Sequence, residues 1–391
     1  MPFAAAVSEH PLATHAVGEV VGQVLEEIGD HPDAAVLFVT AAFAGAMDDI
    51  AHAVRELLHP GALIGSTASS LLAGREEVEE RPAIALFAFR SAGGRSGVGR
   101  RRGAVPQAAL FEAERTDDGW RLEGTVDVAV PGATLVVLAD PFSFPIDGFV
   151  DGLVAETPTL TVVGGLASAA TGPGGNRLVA DEHLTSTGAV GLLLPPDVGA
   201  RVVVSQGCRP VGEPLVVTRA TGNLIEEIAG QPALDRLLAQ AEAATPLDRS
   251  LMSRGLHVGL VVDEHKPTFD RGDFLIRGVL GADHRRRAVA VGADVEVGTT
   301  VQFQVRDADS ADEDLRLLLA DVSADAALVF TCNGRGTNLF DQPHHDASVI
   351  HDHVDGGATA GMFCAGEIGP VGDRPFVHGF TASILLLSDH P

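Results

Sequence analysis

Two stretches near the C-terminus decide how this chain is read: ALVFTCNGRG at residues 327–336 and ATAGMFCAGEIGPVG at residues 358–372. Each is an apolar, β-rich run that stops at a cysteine, and between them an amphipathic segment from about His345 to Val354 has the length of a helix. That pattern predicts a strand-helix-strand crossover. If the two strands are parallel neighbours, the crossover is right-handed and both end on one edge of the sheet. The turns Cys332-Asn333-Gly334-Arg335 and Cys364-Ala365-Gly366-Glu367 then face each other, at the kind of crevice where open α/β sheets hold ligands. Arg335 and Glu367 are therefore expected to line one small-molecule pocket. The plainer reading of the same pair is an ion pair that braces the sheet edge.

Composition narrows the function classes. The 391 residues are 46% apolar and 20% charged, the balance of an ordinary globular chain, and their number suits two domains. A formal charge of −26 sets long-range repulsion against nucleic acid or an anionic membrane, so neither is expected as a partner. Three cysteines are too few for a disulfide framework and point to a reducing compartment. The opening MPFAAAVSEHPLA has no basic region followed by an apolar core, so it does not read as a signal peptide, and no run nears the ~20 apolar residues of a spanning helix. The expected location is the cytoplasm.

In chain order, apolar spacing predicts a helix over 13–28, a strand over 35–39, a helix from Met47 to Leu58 and strands at 62–64 and 84–89, with GSTASSLLAG as a loop. The plan repeats: a strand at 134–138, a helix around Ile146 to Val154, a strand at 160–163, the loop GGLASAATGPGG and a strand at 189–194. A glycine followed three positions on by a small residue marks each loop: Gly65 and Ala68, Gly165 and Ser168, Gly361 and Cys364. Strand, helix, strand, Gly-small loop, strand thus occurs three times, which implies quasi-equivalent packing about a shared centre. The Gly- and Arg-rich run Ser91 to Pro106, with Arg100, Arg101 and Arg102, reads as a solvated loop, or else as an anion clamp. Pro195-Pro196 is expected to divide domains 1–195 and 196–391. After it come a hairpin VVVSQGCRPVGEPLVVT with its turn at Gly207 to Pro210, a helix from Pro232, a connector over 242–254, strands at 256–262, 274–280 and 289–305, and a capping box of Ser310 and Glu313 before the helix at Leu315. The fold class is α/β: two domains of repeated β-α-β-β units, with mixed parallel and antiparallel sheets packed by helices.

The segments VSQGCRPVGEP, FLIRGVLGAD, VGTTVQFQVRDADSADEDL, FTCNGRG and AGEIGPVG followed by FVHGFTASILLL resemble the C-terminal half of the FIST domain, and GALIGSTASSLLAG with its flanking strands resembles the N-terminal half. The resemblance implies a bacterial sensory module for a small ligand, an amino acid or a related metabolite. The chain carries no kinase, receptor or DNA-binding motif, so its output would pass to a separate signalling protein, and homo-oligomerisation stays open. Some members of the family are described as haem-dependent gas sensors. Family loops at GSTASSLLAG often hold a cysteine and a glutamate where this chain has Ser66 and Ser69, a departure that weakens a ligand role for that loop.

The chemistry of the candidates fits a zwitterion. Arg335 offers a planar fork for a carboxylate and Glu367 an acceptor for an ammonium group. Cys332, Asn333, Cys364, Arg209 and His378 are expected around them, Arg209 as a further anion grip. Asn333 before glycine also reads as turn chemistry. No pair among His344, His345, His351 and His353 has the i, i+4 spacing of a helical metal pair, and His353 falls on the apolar face, so no metal is assigned. No cofactor and no catalytic residue are assigned. Two other readings remain: a haem-binding gas sensor with a histidine beside an apolar cavity, and a hydrolase or transferase using Cys332 or Ser168, which needs a neighbouring base.

Overall fold

The computed structural model describes residues 2–90, 104–117 and 119–388. Arg100, Arg101 and Arg102 lie outside them. The fold is α/β with mixed sheets, and the thrice-repeated unit is its frame. In each unit two parallel strands are joined by a crossover containing a helix: Ala34–Thr40 with Leu63–Ala68, Thr134–Ala139 with Thr161–Leu166, and Ala324–Cys332 with Val354–Cys364. An antiparallel strand flanks the first of each pair: Ile84–Phe89, Ala189–Leu194 and Thr381–Ser388. These strands are buried continuously over most of their length, not at alternate positions, because both faces of each sheet are covered. One face meets helices such as Ala13–Ile28 and Met47–Leu58, while the other faces a central core shared by all three units.

The hairpins that follow the second strands are exchanged between units. Ser70–Ala73 with Glu76–Glu79 leaves the first unit and pairs with Val354–Cys364 of the third. Leu178–Ala180 with His183–Thr185 passes from the second to the first, and Glu367–Val371 with Arg374–His378 from the third to the second. The exchange is cyclic, so each sheet is completed by a neighbour and the three units form a closed pseudo-threefold ring. GSTASSLLAG is therefore strand on both sides of Ser69 and not a loop: the chain steps there from one sheet to another. Short polar side chains allow the step, since they hydrogen-bond where the ladder breaks.

At the centre of the ring the second strands close on one another. Ser168 N donates to Thr67 O (3.4 Å) and Ala365 N to Leu166 O (3.0 Å). The third link runs through a side chain: Ser69 N donates to Ser168 Oγ (2.9 Å), whose hydroxyl donates to Phe363 O. The register places Gly65, Gly164 and Gly361 opposite Leu37, Val137 and Val329, so Gly164, not Gly165, is the second unit's counterpart. A Cβ on Gly164 or Gly361 would lie 1.9 or 2.0 Å from the carbonyl oxygen of its register partner.

Residues 208–306 form a second body. Strands Leu215–Thr221, Leu224–Ile228, Ala288–Val291, Phe274–Asp283, Leu256–Val261 and Thr300–Arg306 pair antiparallel in that order, and the last returns to pair with the first, Leu215–Thr221, closing a barrel. Val217, Ile225, Val258, Val289, Val301 and Phe303 fill it. The expected hairpin after Val202 does not form. Gly199–Gln206 pairs with Thr381–Ser388 in the third unit, and beyond Gly207 the chain joins the barrel instead. Gly207 suits that switch, because a Cβ there would sit 2.5 Å from Phe380 O. The supposed connector contains a helix, Pro246–Arg254, capped by Thr245. The helix after the barrel begins earlier than the capping-box reading, at Ala308, because the Asp307 side chain accepts from Asp309 N and Ser310 N. Phe3–Ser8 and the pair Gln107–Thr116 and Gly119–Gly124 are further strands that the periodicity did not reveal.

Candidate functional site

The parallel strands of the third unit end together, with Cys332 opposite Cys364 in register and Asn333 N donating to Cys364 O (2.9 Å). The two turns therefore meet, and Cys332, Cys364, Arg335 and Glu367 share one edge. The edge is closed: Arg335 and Glu367 have no solvent exposure and the cysteines almost none. Phe380 covers it, its ring 3.2 Å from the Cβ position of Gly334 and 4.3 Å from the His257 ring centre to centre, with Arg306 over its face. Phe380 has φ 65°, an unfavourable region for an aromatic residue.

Arg335 does not pair with Glu367. Its fork grips Asp346, Nε to Oδ2 at 2.7 Å and Nη2 to Oδ1 at 2.8 Å, and Thr331 Oγ1 donates to Oδ2 as well (2.8 Å). Burial alone would raise the Asp346 carboxyl, but Arg335 outweighs it and holds the group well below the usual range. Asp346 lies on the apolar face of the expected helix, and nothing in its spacing marked it as the partner of this fork. His345 extends the network, stacked on Phe340 and placed between Asp346 Oδ1 (3.1 Å) and Asp312 Oδ1 (2.8 Å). The exchanged hairpin closes it from outside, with Ala347 N donating to Glu77 Oε1 (2.9 Å).

Two buried atoms at the edge have no partner among the described residues: Arg335 Nη1 and Glu367 Oε1. Glu367 Oε2 accepts from Thr381 N (3.1 Å) and Oγ1 (2.9 Å). Burial pushes this carboxyl up to about 8, against the pull of Thr381, Arg335 and the Cys332 thiol. Burial, with the Glu367 carboxylate next, pushes Cys332 to about 12 and Cys364 well above the ordinary thiol range. That is the reverse of a nucleophile's setting. Ser168 is engaged in the central ring, as described above. His378 ends the strand before the last one, pairs with Gly369 O through Nε2 (2.9 Å) and is lowered to about 4 by burial. Asn333 makes turn contacts, its carbonyl accepting from Asn338 Nδ2 (3.0 Å). Arg209 is engaged in other ion pairs, with Asp307 at the start of the helix after the barrel and with Asp248 of the helix Pro246–Arg254 (2.6 Å).

An open cleft of about 480 Å3 lies where the barrel, the helix Ile146–Glu156 and the exchanged strand Arg374–His378 meet. Arg277, from the motif FLIRG, lines it. Its Nη1 donates to Val377 O (2.9 Å) and Ile276 O (3.2 Å), and it forms no ion pair among the described residues. Burial lowers its pKa, with Asp147 acting in the opposite sense. The cleft adjoins the closed edge through a single strand, since His378, next to Val377, is the register partner of Glu367. Sequence reading passed over Arg277 because it lies within an apolar strand; the single arginine inside the run FLIRG was the available signal.

Two family models match the chain, one described as the FIST N domain over residues 33–231 and the other as the FIST C domain over residues 232–370. An uncharacterized protein of Mycobacterium tuberculosis is 41% identical over 400 residues, covering 100% of both chains. One of Mycobacterium bovis is 39% identical over 396 residues, covering 100% of this chain and 99% of its own.

Proposed function

The chain belongs to the FIST family, and from that premise we propose that it is a cytoplasmic bacterial sensory protein that binds a small ligand, an amino acid or a close relative, in the cleft lined by Arg277. FIST domains are associated with small-ligand sensing. The observation that carries the reading for this chain is Arg277 itself: a half-buried guanidinium whose protein partners are main-chain carbonyls, at the junction of two bodies, where ligand sites concentrate. A carboxylate would complete its fork. On this reading Arg335 and Glu367, shut off from solvent, stand behind the cleft with Cys332, Cys364, Asn333 and His378 and frame the strand that forms its wall. The signal would leave through a separate partner protein.

The test is a thermal-shift panel of amino acids and related metabolites on the whole chain and on Arg277→Met. A ligand at 100 times its dissociation constant adds about 2.7 kcal/mol, a rise of several degrees. The expected result is such a rise for some member of the panel and none for Arg277→Met, whose ligand-free midpoint stays close to that of the parent. A flat response across the panel overturns the reading.

A further inference from the structure

The charges around the cleft narrow the ligand further. Its walls carry four carboxylates, Asp147, Asp151, Asp294 and Glu296, and two guanidiniums, Arg277 and Arg374, a formal balance of −2. Arg374 faces Asp151 at 3.5 Å, so that pair is neutral. Asp147, Asp294 and Glu296 form no ion pair among the described residues and are exposed: Asp147 in the first turn of the helix Ile146–Glu156, the other two in the barrel loop before Thr300–Arg306. A bare anion attracted to Arg277 would meet three unpaired carboxylates. A simple zwitterion satisfies Arg277 and one of them and leaves the cleft negative. A molecule with one carboxylate and two cationic groups satisfies Arg277, places a cation at each of the two carboxylate positions and lowers the balance from −2 to −1.

We infer that the cleft selects a cationic amino acid of the diamino type, with its carboxylate on Arg277, its α-ammonium near Asp147 and its side-chain cation at Asp294 and Glu296. The inference rests on the small-ligand reading and adds the charge class. Cleft carboxylates of one sign also raise the local concentration of a cation, so its affinity should weaken with salt more steeply than that of a neutral analogue.

Titration calorimetry on the whole chain with L-lysine, L-ornithine, L-alanine, L-glutamate and cadaverine separates the outcomes. Lysine or ornithine should bind at least about tenfold more tightly than alanine, with glutamate weakest, because each favourable or unfavourable charge contact is on the order of a tenfold effect. Cadaverine, which lacks the carboxylate, should bind the parent more weakly than lysine does and should lose no affinity on Arg277→Met, since it makes no contact that the guanidinium supplies. The double variant Asp294→Asn, Glu296→Gln, at exposed positions and with an unchanged ligand-free melting midpoint, should bring lysine down to the level of alanine. Alanine or glutamate binding as tightly as lysine overturns the charge class and leaves the small-ligand reading standing. Absence of binding by all five overturns the cationic proposal, and the wider panel described above then decides the small-ligand reading.

Discussion

Arg335 shows how far a side chain's chemistry can be known without its partner. Its fork takes a carboxylate bidentately, and the carboxylate it takes in this structure is Asp346, delivered by the helix His345–His351. Removing one member of so buried a pair costs about 3–5 kcal/mol, because the other charge is left in a poor solvent. Glu367 is the opposite case. Its carboxyl is raised from 4.5 to about 8, so the folded state binds a proton that the unfolded state has released between those values. Its contribution is full below pH 4.5 and is lost as pH rises toward 8. Asp346 has the other sign, since its lowered pKa stabilises the fold above the ordinary carboxylate range and fails in acid. Glu367→Gln mimics the protonated form. Melting midpoints of the parent should fall from pH 5 to pH 8.5 by more than those of the variant; parallel pH profiles would show that Glu367 is ionised throughout.

At the scale of elements, the repeated unit was legible because apolar periodicity reports local structure directly: the helices Ala13–Ile28 and Met47–Leu58 and the parallel strand pairs stand where it places them. The Gly-small signature was legible too, although its reason was not. Gly361 is needed because the neighbouring strand's carbonyl occupies the place of a Cβ, 2.0 Å away at Val329 O. Gly361→Ala should therefore destabilise the chain by at least about 1–3 kcal/mol, the usual penalty for forcing atoms into a packed core, as measured by urea unfolding. A change within 0.5 kcal/mol, the range of inert surface substitutions, would mean that the strands separate easily there. The hairpins were misread for a physical reason. Ser70–Ala73 and Glu76–Glu79 are short, and their pairing partner lies in another unit, so nothing in their own spacing announces a strand.

For the whole molecule, cyclic exchange means that neither side of Pro195-Pro196 can complete its sheets alone. The third unit needs Ser70–Ala73 and the second needs Glu367–Val371. We propose that residues 1–195 and 196–391 are divisions of sequence and not independently folding bodies. Differential scanning calorimetry should then show the three-unit ring melting as one cooperative transition, with the barrel as the only segment able to add a second. Two transitions assigned by fragment melting to residues 1–195 and 196–391 would count against it.

By itself the sequence determined the α/β class, the threefold repetition, the parallel crossover ending at Cys332 and Cys364, and the family, because each is written in local periodicity or in contiguous motifs. Only the tertiary structure decided which units lend strands to which, that Asp346 takes the fork of Arg335, that the edge with Glu367 is sealed under Phe380, and that an open cleft forms beside Arg277. The physical reason is the same in each case. These are contacts between segments far apart in the chain, set by packing and charge across the interior, and no spacing within one segment encodes the identity of its distant neighbour.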